Sequence, residues 1–273
     1  MPADIKSELR RRATELGFDI GLDYVPDTSL TDDYRCFVAD TGATGLRMAT
    51  GFRVTPGNRA IVHHVIVTMF PGSDRAALDA LDAQTPTRAG WPCVGGPVPE
   101  GTNATPIGAL GSWVPGVSAV ALPAGTGQIV QAGALAVIQV HYNLLGGSDP
   151  DRTRVDVALA PPEATATLER LSGMSLIKRN LQIAANDAAS VQTQSATVSQ
   201  WRALRGLPPF PSGTGYALGA GGHMHMIGKR ITITRTSTAG STVLLDIPAW
   251  SFHWQGGYQY VTPIAIANDV AIL

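Results

Sequence analysis

Short runs of apolar residues, some alternating with polar ones and some continuous, recur along the chain between glycine- and proline-rich turns. They predict strands over residues 46–54, 59–70, 132–142, 154–160, 215–227, 230–236, 242–247 and 257–261. Pro56-Gly57-Asn58 predicts a hairpin between the first two strands, and Ala239-Gly240 predicts another further along. The pattern favours an all-β fold made of two antiparallel β-sandwich halves.

Helical periodicity is confined to two short segments. Residues 4–16 place their apolar side chains on one face and predict an N-terminal helix that precedes the β-rich region. Residues 73–83 predict a second helix inside a connection, with Ser73 as its N-cap. The predicted strands outside these two segments carry the fold.

Pro161-Pro162 is the predicted boundary between the two halves. It defines an N-terminal helical extension over residues 1–29, a first domain over 30–161 and a second domain over 162–273. Residues 268–273 read as a turn followed by the opening of an apolar strand. We therefore expect the second domain to be incomplete at its C-terminal end.

The charge balance excludes one class of partner. The 20 Lys and Arg residues against 21 Asp and Glu residues leave no basic excess to neutralise a phosphate backbone, so nucleic-acid binding is not expected. The longest apolar run, residues 132–140, is too short to span a bilayer. The charged first residues do not resemble a signal peptide, so the sequence leaves localisation open.

Two cysteines, Cys36 and Cys93, leave two arrangements open. They form one disulfide, or they are two separate and partly buried thiols. Sequence alone does not establish whether their Cα atoms approach closely enough to be bridged.

Histidines carry the candidate chemistry, and five of the six fall in predicted strands. His223 and His225 are two residues apart, so on a strand they project from one face and are able to bind one metal ion. His63 and His64 are adjacent, so binding one ion requires a β-bulge, a strong twist or different ring nitrogens. His141, at the end of another strand, is the natural third ligand.

The residues near these histidines in sequence limit the types of metal site that are compatible with them. No carboxylate lies close to either pair in sequence, which argues against a two-histidine, one-carboxylate iron site. A three-histidine zinc site and a copper site both remain compatible. Met224 and Met226 lie beside the second pair but are expected to serve in packing, and His253, among aromatic residues, is expected to be a hydrogen-bonded structural residue.

The order of the histidine motifs resembles the copper type II, ascorbate-dependent monooxygenases, the family of peptidylglycine α-hydroxylating monooxygenase and dopamine β-monooxygenase. The matching segments are His63-His64-Val65, Gln139-Val140-His141-Tyr142-Asn143 and His223-Met224-His225-Met226-Ile227-Gly228. Asp32-Asp33-Tyr34-Arg35-Cys36 resembles the opening of the family's first domain. The resemblance covers about residues 30–273 and is closest to bacterial-type members.

This resemblance implies two jelly-roll-like β-sandwich domains with one copper ion each. By position, the first copper would be held by His63, His64 and His141 and would relay an electron. Gln139, two residues before His141, would lie outside the ligand shell, between the two sites.

By position, His223 and His225 would hold the second copper, at which oxygen is activated, and would be the catalytic pair. The family completes this site with a methionine from a downstream Thr-x-Asp-Glu-Met-type segment, which the sequence does not contain. The peptide-modifying enzyme also has an arginine where this chain has Gly221, so a glycine-extended peptide is not the implied substrate.

The resulting prediction is a copper-dependent monooxygenase. It would hydroxylate a C–H bond of a small-molecule or peptide substrate with O2 and a one-electron donor such as ascorbate. The alternatives are a copper-binding domain without catalysis and a zinc-dependent hydrolase. The family resemblance further suggests a periplasmic or secreted protein.

Overall fold

The structure, a computed structural model, describes residues 14–178, 180–204, 206–252, 256–268 and 270–272. Strands dominate these residues and pair mostly in antiparallel sheets, which confirms the all-β prediction. The chain divides into two compact units, residues 1–173 and residues 174–273. The predicted boundary at Pro161-Pro162 falls inside the first unit, because the chain after it returns to pair with that unit's sheet.

The first unit is a β-sandwich with one covering helix. Its strands are β1 (Thr14–Asp19), β2 (Asp32–Asp40), β3 (Arg47–Thr55), β4 (Val62–Phe70), β5 (Trp91–Pro92), β6 (Gly108–Trp113), β7 (Val120–Ala121), β8 (Thr126–Val130), β9 (Leu135–Asn143), β10 (Arg154–Leu159) and β11 (Glu169–Arg170). One sheet has the order β5-β2-β9-β4-β6, and the other has the order β1-β10-β3-β8-β11 with β7 paired to β3. Helix α1 (Arg75–Asp82) lies in the connection after β4.

Strand β9 is buried on both faces, which explains its nearly continuous apolar sequence. One face contributes Ile138 and Val140 to the core between the two sheets. The opposite face contributes Leu135 and Val137 to a second cluster with α1 and the two cysteines. Because side chains alternate along a strand, His141 lies on this second, outer face.

The hairpin predicted at Pro56-Gly57-Asn58 is wrong, although both strands exist. Strand β3 pairs with β10 in one sheet, whereas β4 pairs with β9 and β6 in the other. The turn crosses between the sheets because it is held by the loop before β10. The backbone N–H of Asn58 donates to Asp151 Oδ1 at 2.8 Å, and a side chain at Gly57 would collide with the Arg152 backbone.

The prediction of an N-terminal helix over residues 4–16 is wrong for residues 14–16, the part of that range that the structure describes. Residues 4–13 lie outside the described part of the chain, and the next residues begin β1, which pairs with β10 along its whole length. Phe18 and Ile20 are buried with period two, which favours a strand. The second predicted helix is present, but it starts at Arg75 after a 3-10 turn over Gly72–Asp74, and Ser73 does not cap it.

The second unit is smaller and has a modest core. Its elements are β12 (Ala196–Thr197), α2 (Val198–Leu204), β13 (Thr214–Gly221), β14 (Ile231–Ser237), β15 (Gly240–Ile247), β16 (Gly257–Ala267) and β17 (Ala271–Ile272). Its sheets have the orders β12-β17-β14-β15 and β13-β16. The hairpin at Ala239-Gly240 is confirmed, and so is the strand expected near residue 272. Within the described ranges, no helix is long and apolar enough to cross a membrane.

A disulfide joins Cys36 on β2 to Cys93 after β5, which decides between the two arrangements that the sequence left open. The two Cα atoms are 5.9 Å apart, within the normal range for a bridge. Both residues are buried in the cluster beneath α1. The bridge therefore fastens the long loop after β4 to the sheet that carries three of the candidate ligands.

Candidate metal centre

Three histidines converge on the outer face of the five-stranded sheet in the first unit. His63 Nδ1 lies 3.3 Å from His64 Nδ1, and His64 Nδ1 lies 3.4 Å from His141 Nδ1. One ligand nitrogen from each ring lies within 4.8 Å of the others. The spacing allows one ion to contact all three rings.

A β-bulge brings the two adjacent histidines to the same side. Val62 pairs with Tyr142, but His64 pairs with His141, so the register shifts by one residue at His63. Without the shift, His63 and His64 would point to opposite faces of the sheet. Of the three arrangements that the sequence left open for a site shared by these neighbours, the structure thus has the β-bulge.

Asp32 fixes the orientation of His141. His141 Nε2 lies 2.8 Å from Asp32 Oδ1, which also accepts a hydrogen bond from Asn143 Nδ2 at 2.9 Å. A carboxylate only accepts, so Nε2 carries the proton and Nδ1 keeps its lone pair toward the other two rings. This is the carboxylate–histidine arrangement that commonly supports a metal ligand.

The sequence places Asp32 in the segment Asp32-Asp33-Tyr34-Arg35-Cys36 but indicates no role for it. Asp32 and His141 are 109 residues apart, and the antiparallel register of β2 and β9, which pairs Asp32 with Asn143, brings them together. The alternation of side chains along β2 is the sequence signal that points to Asp32. Asp32 and Tyr34 share a face, and that face meets the histidines.

Tyr34 forms one wall of the site. Its ring stacks on His141, with centroids 4.0 Å apart and planes inclined by 8°, and it meets His64 edge-on at 6.2 Å. Burial and the neighbouring Asp32 carboxylate raise the pKa of Tyr34 to about 12, so the phenol is neutral near pH 7. His141 itself is fully buried, and the stacked tyrosine limits the positions its ring can adopt.

Gln139 is buried on the same strand, two residues before His141. Its Nε2 donates to the backbone carbonyl of Cys93 at 2.5 Å. This bond ties the ligand-bearing strand to the disulfide-held loop. The role between two copper sites that the resemblance implies for Gln139 stays a prediction.

His223 and His225 in the second unit are brought together, but not by a strand. Strand β13 ends at Gly221, and the next residue, Gly222, packs against Ile231, where an added Cβ would collide with that side chain. The predicted strand over 215–227 is therefore wrong in its last residues. The two rings still lie with centroids 5.1 Å apart at 84° to each other.

The surroundings of His225 favour its neutral imidazole. Partial burial and the neighbouring His223 lower the pKa of His225 below the usual histidine value. Phe252 approaches His225 with ring centroids 6.2 Å apart. A neutral imidazole is the form that binds a metal ion. His253, predicted to be structural, lies outside the described residues.

Replacing Asp32 with asparagine should weaken metal binding at the first site by about 10–100-fold, the usual cost of losing a partner outside the ligand shell. The asparagine amide can turn its NH2 group toward Nε2. Because this group donates a hydrogen bond, it does not keep the proton on Nε2 as the carboxylate does. Competition with a chromophoric Cu(I) chelator measures the change.

The matched control for this substitution is Asp40→Asn at the other end of β2. Asp40 is exposed and pairs with Arg75, away from the histidines. Equal affinities of Asp32→Asn and the parent chain would show that Asp32 does not position His141.

The chain matches no protein-family model and no curated protein. Its assignment therefore depends on the residues and geometry described above.

Proposed function

We propose that the chain is a copper-dependent monooxygenase that hydroxylates a C–H bond with O2 and a one-electron donor such as ascorbate. The observation that carries the proposal is the convergence of His63, His64 and His141 on one point, from strands that the sequence separates by more than 70 residues. The order of the histidine motifs along the chain supports copper as the metal.

The donor set fits copper. The first site offers three imidazole nitrogens, a set that suits copper and zinc alike. The second site offers two imidazoles within a His-Met-His-Met run, and thioether sulfur is a soft ligand that favours Cu(I) over zinc. Taken together, the two sites favour copper.

When bound, copper would supply one-electron transfer at the first site and oxygen activation at the second. The chain's own residues prepare the first site. Asp32 holds the proton on Nε2 of His141, and Tyr34 packs flat against that ring. The bulge at His63 keeps the two neighbouring imidazoles on one face. A site held this rigidly keeps its geometry when the charge of the ion changes.

Two alternatives remain as outcomes of the test. A copper-binding protein without catalysis would use the same ligands and consume no oxygen. A zinc-dependent hydrolase needs a general base near the metal. Asp32 Oδ1 already accepts hydrogen bonds from His141 and Asn143, so this carboxylate is placed to orient a ligand rather than to activate water.

The test begins with the purified 273-residue chain, loaded with Cu(I) under ascorbate and desalted. We expect two copper ions per chain by metal analysis and reductant-dependent oxygen consumption in the presence of an oxidisable substrate. The variant His225→Ala should retain one ion and lose the oxygen consumption. Tight copper binding without oxygen consumption by the parent chain would leave the non-catalytic alternative, and exclusive zinc binding would overturn the proposal.

A further inference from the structure

We propose that the first unit holds a further binding site, for a small molecule that joins one carboxylate to an apolar chain or ring. The site is a cavity of about 430 Å³ beyond the end of β2. Strand β2 runs from Asp32, beside the histidines, to Asp40, just before this cavity, so the two sites lie about 25 Å apart along the strand. Neither the copper ions nor their ligands take part in this site.

Apolar residues form most of the cavity wall. Leu159 and Ala43 are buried there, and Leu46, which is 57% exposed, extends the apolar lining to the surface. Leu16 and Pro162 contribute to the wall from neighbouring segments. Small-molecule sites typically have volumes of about 300–1,000 Å³, mostly apolar walls and a few placed polar groups, and this cavity has all three features.

The loop between β2 and β3 is fixed by hydrogen bonds to the turn before β9. Thr41 Oγ1 donates to the Ala134 carbonyl at 2.6 Å, and the Gly133 N–H donates to the Ala43 carbonyl at 2.7 Å. Gly42 has a φ of 73°, in the left-handed region that favours glycine, so the chain turns sharply between these two anchors. The folded chain thus shapes this wall of the cavity by itself, which lowers the entropic cost of binding.

Arg47 supplies the charge in the cavity wall. Its Nη2 donates to the Ala160 carbonyl at 2.7 Å, which fixes the position of the guanidinium. Its Nε is buried and donates to no group in the described part of the chain. Among the described residues no carboxylate forms an ion pair with Arg47, whereas Arg53 on the same strand pairs with Asp156 at 2.9 Å. Arg47 therefore keeps both a positive charge and donors that the protein itself does not neutralise.

The class of ligand follows from this combination. A planar guanidinium binds a carboxylate through two parallel hydrogen bonds, and such charge-assisted bonds are strong. The apolar walls favour a hydrocarbon body, whose burial is favourable. A second negative charge on the ligand would lie against apolar residues without a partner, which is costly. A monocarboxylate therefore fits the cavity better than a phosphate ester or a dicarboxylate.

The experiment is a calorimetric titration of the metal-free 273-residue chain with octanoate, and with 1-octanol as the uncharged probe of the same length. We expect octanoate to bind with a Kd of about 1 mM or lower, and about tenfold or more tightly than 1-octanol. Arg47→Met, which keeps an unbranched side chain without the charge, should weaken octanoate binding by about tenfold or more. Arg53→Met on the same strand is the matched control and should leave it unchanged.

Urea unfolding of both variants at concentrations near that of the parent chain checks that they are folded. Leu46→Glu provides a second test at an exposed position of the cavity wall, and it should weaken octanoate binding by about threefold through repulsion. Equal affinities for octanoate and 1-octanol, an equal loss in Arg47→Met and Arg53→Met, or octanoate binding that does not saturate would each overturn the site. Because the chain is free of metal, these outcomes are separate from the success or failure of the copper assays.

Discussion

Replacing His63 with alanine is expected to weaken copper binding in the first unit by more than about a hundredfold, because losing a ligand costs more than losing an outer-shell partner. Two imidazoles would remain, His64 and His141, with their Nδ1 atoms 3.4 Å apart. His63 is half-buried and occupies the bulge, so its truncation removes little packing from the sandwich core. Copper stoichiometry after desalting should fall from two ions to one.

Ile66→Ala is the matched control for this substitution. It shortens another half-buried side chain on β4, two residues after His64, without touching a ring nitrogen. Both variants should unfold at denaturant concentrations near that of the metal-free parent. If His63→Ala still binds two ions with parental affinity, the convergence of the three rings does not constitute a metal site.

Removal of the disulfide is expected to have the largest effect on stability. The bridge between Cys36 and Cys93 spans 57 residues, and closing a loop of this length stabilises the folded state by about 4 kcal/mol in the chain-entropy view. The double variant Cys36→Ala, Cys93→Ala should lose about that free energy of unfolding for the first unit, measured by urea denaturation without metal.

The same variant should also bind copper more weakly. The loop that carries Cys93 accepts the hydrogen bond from Gln139, and β2 carries both Cys36 and Asp32. The parent chain treated with a thiol reductant in denaturant and refolded provides the comparison without substitution. A loss of less than about 1 kcal/mol would mean that packing beneath α1, rather than the bridge, holds this loop.

The sequence pattern predicted strands correctly where packing on two faces leaves a strong apolar signature. Strand β9 is the clearest case, since its nearly continuous apolar run matches burial on both sides. The pattern failed where an element's partner lies far along the chain. The turn at Pro56-Gly57-Asn58 carries local hairpin chemistry, yet its contact with Asp151 sends the chain to the other sheet.

The sequence by itself determined the all-β class and the presence of histidines in two tight pairs with a third ligand candidate, because composition and spacing are local properties. It also implied that His63 and His64 need a bulge, a strong twist or different ring nitrogens to share an ion, since side-chain alternation is a property of any strand. These conclusions depend on neighbouring residues alone.

Only the tertiary structure decided which groups meet. The register between β2 and β9 places Asp32 on Nε2 of His141 and Tyr34 against its ring, and the bulge turns His63 toward both. The disulfide and the end of β13 before His223 were decided in the same way. The physical reason is that strand pairing joins residues about 100 positions apart through backbone hydrogen bonds. Because these bonds do not depend on side-chain identity, the side-chain pattern of one strand does not reveal which strand it pairs with.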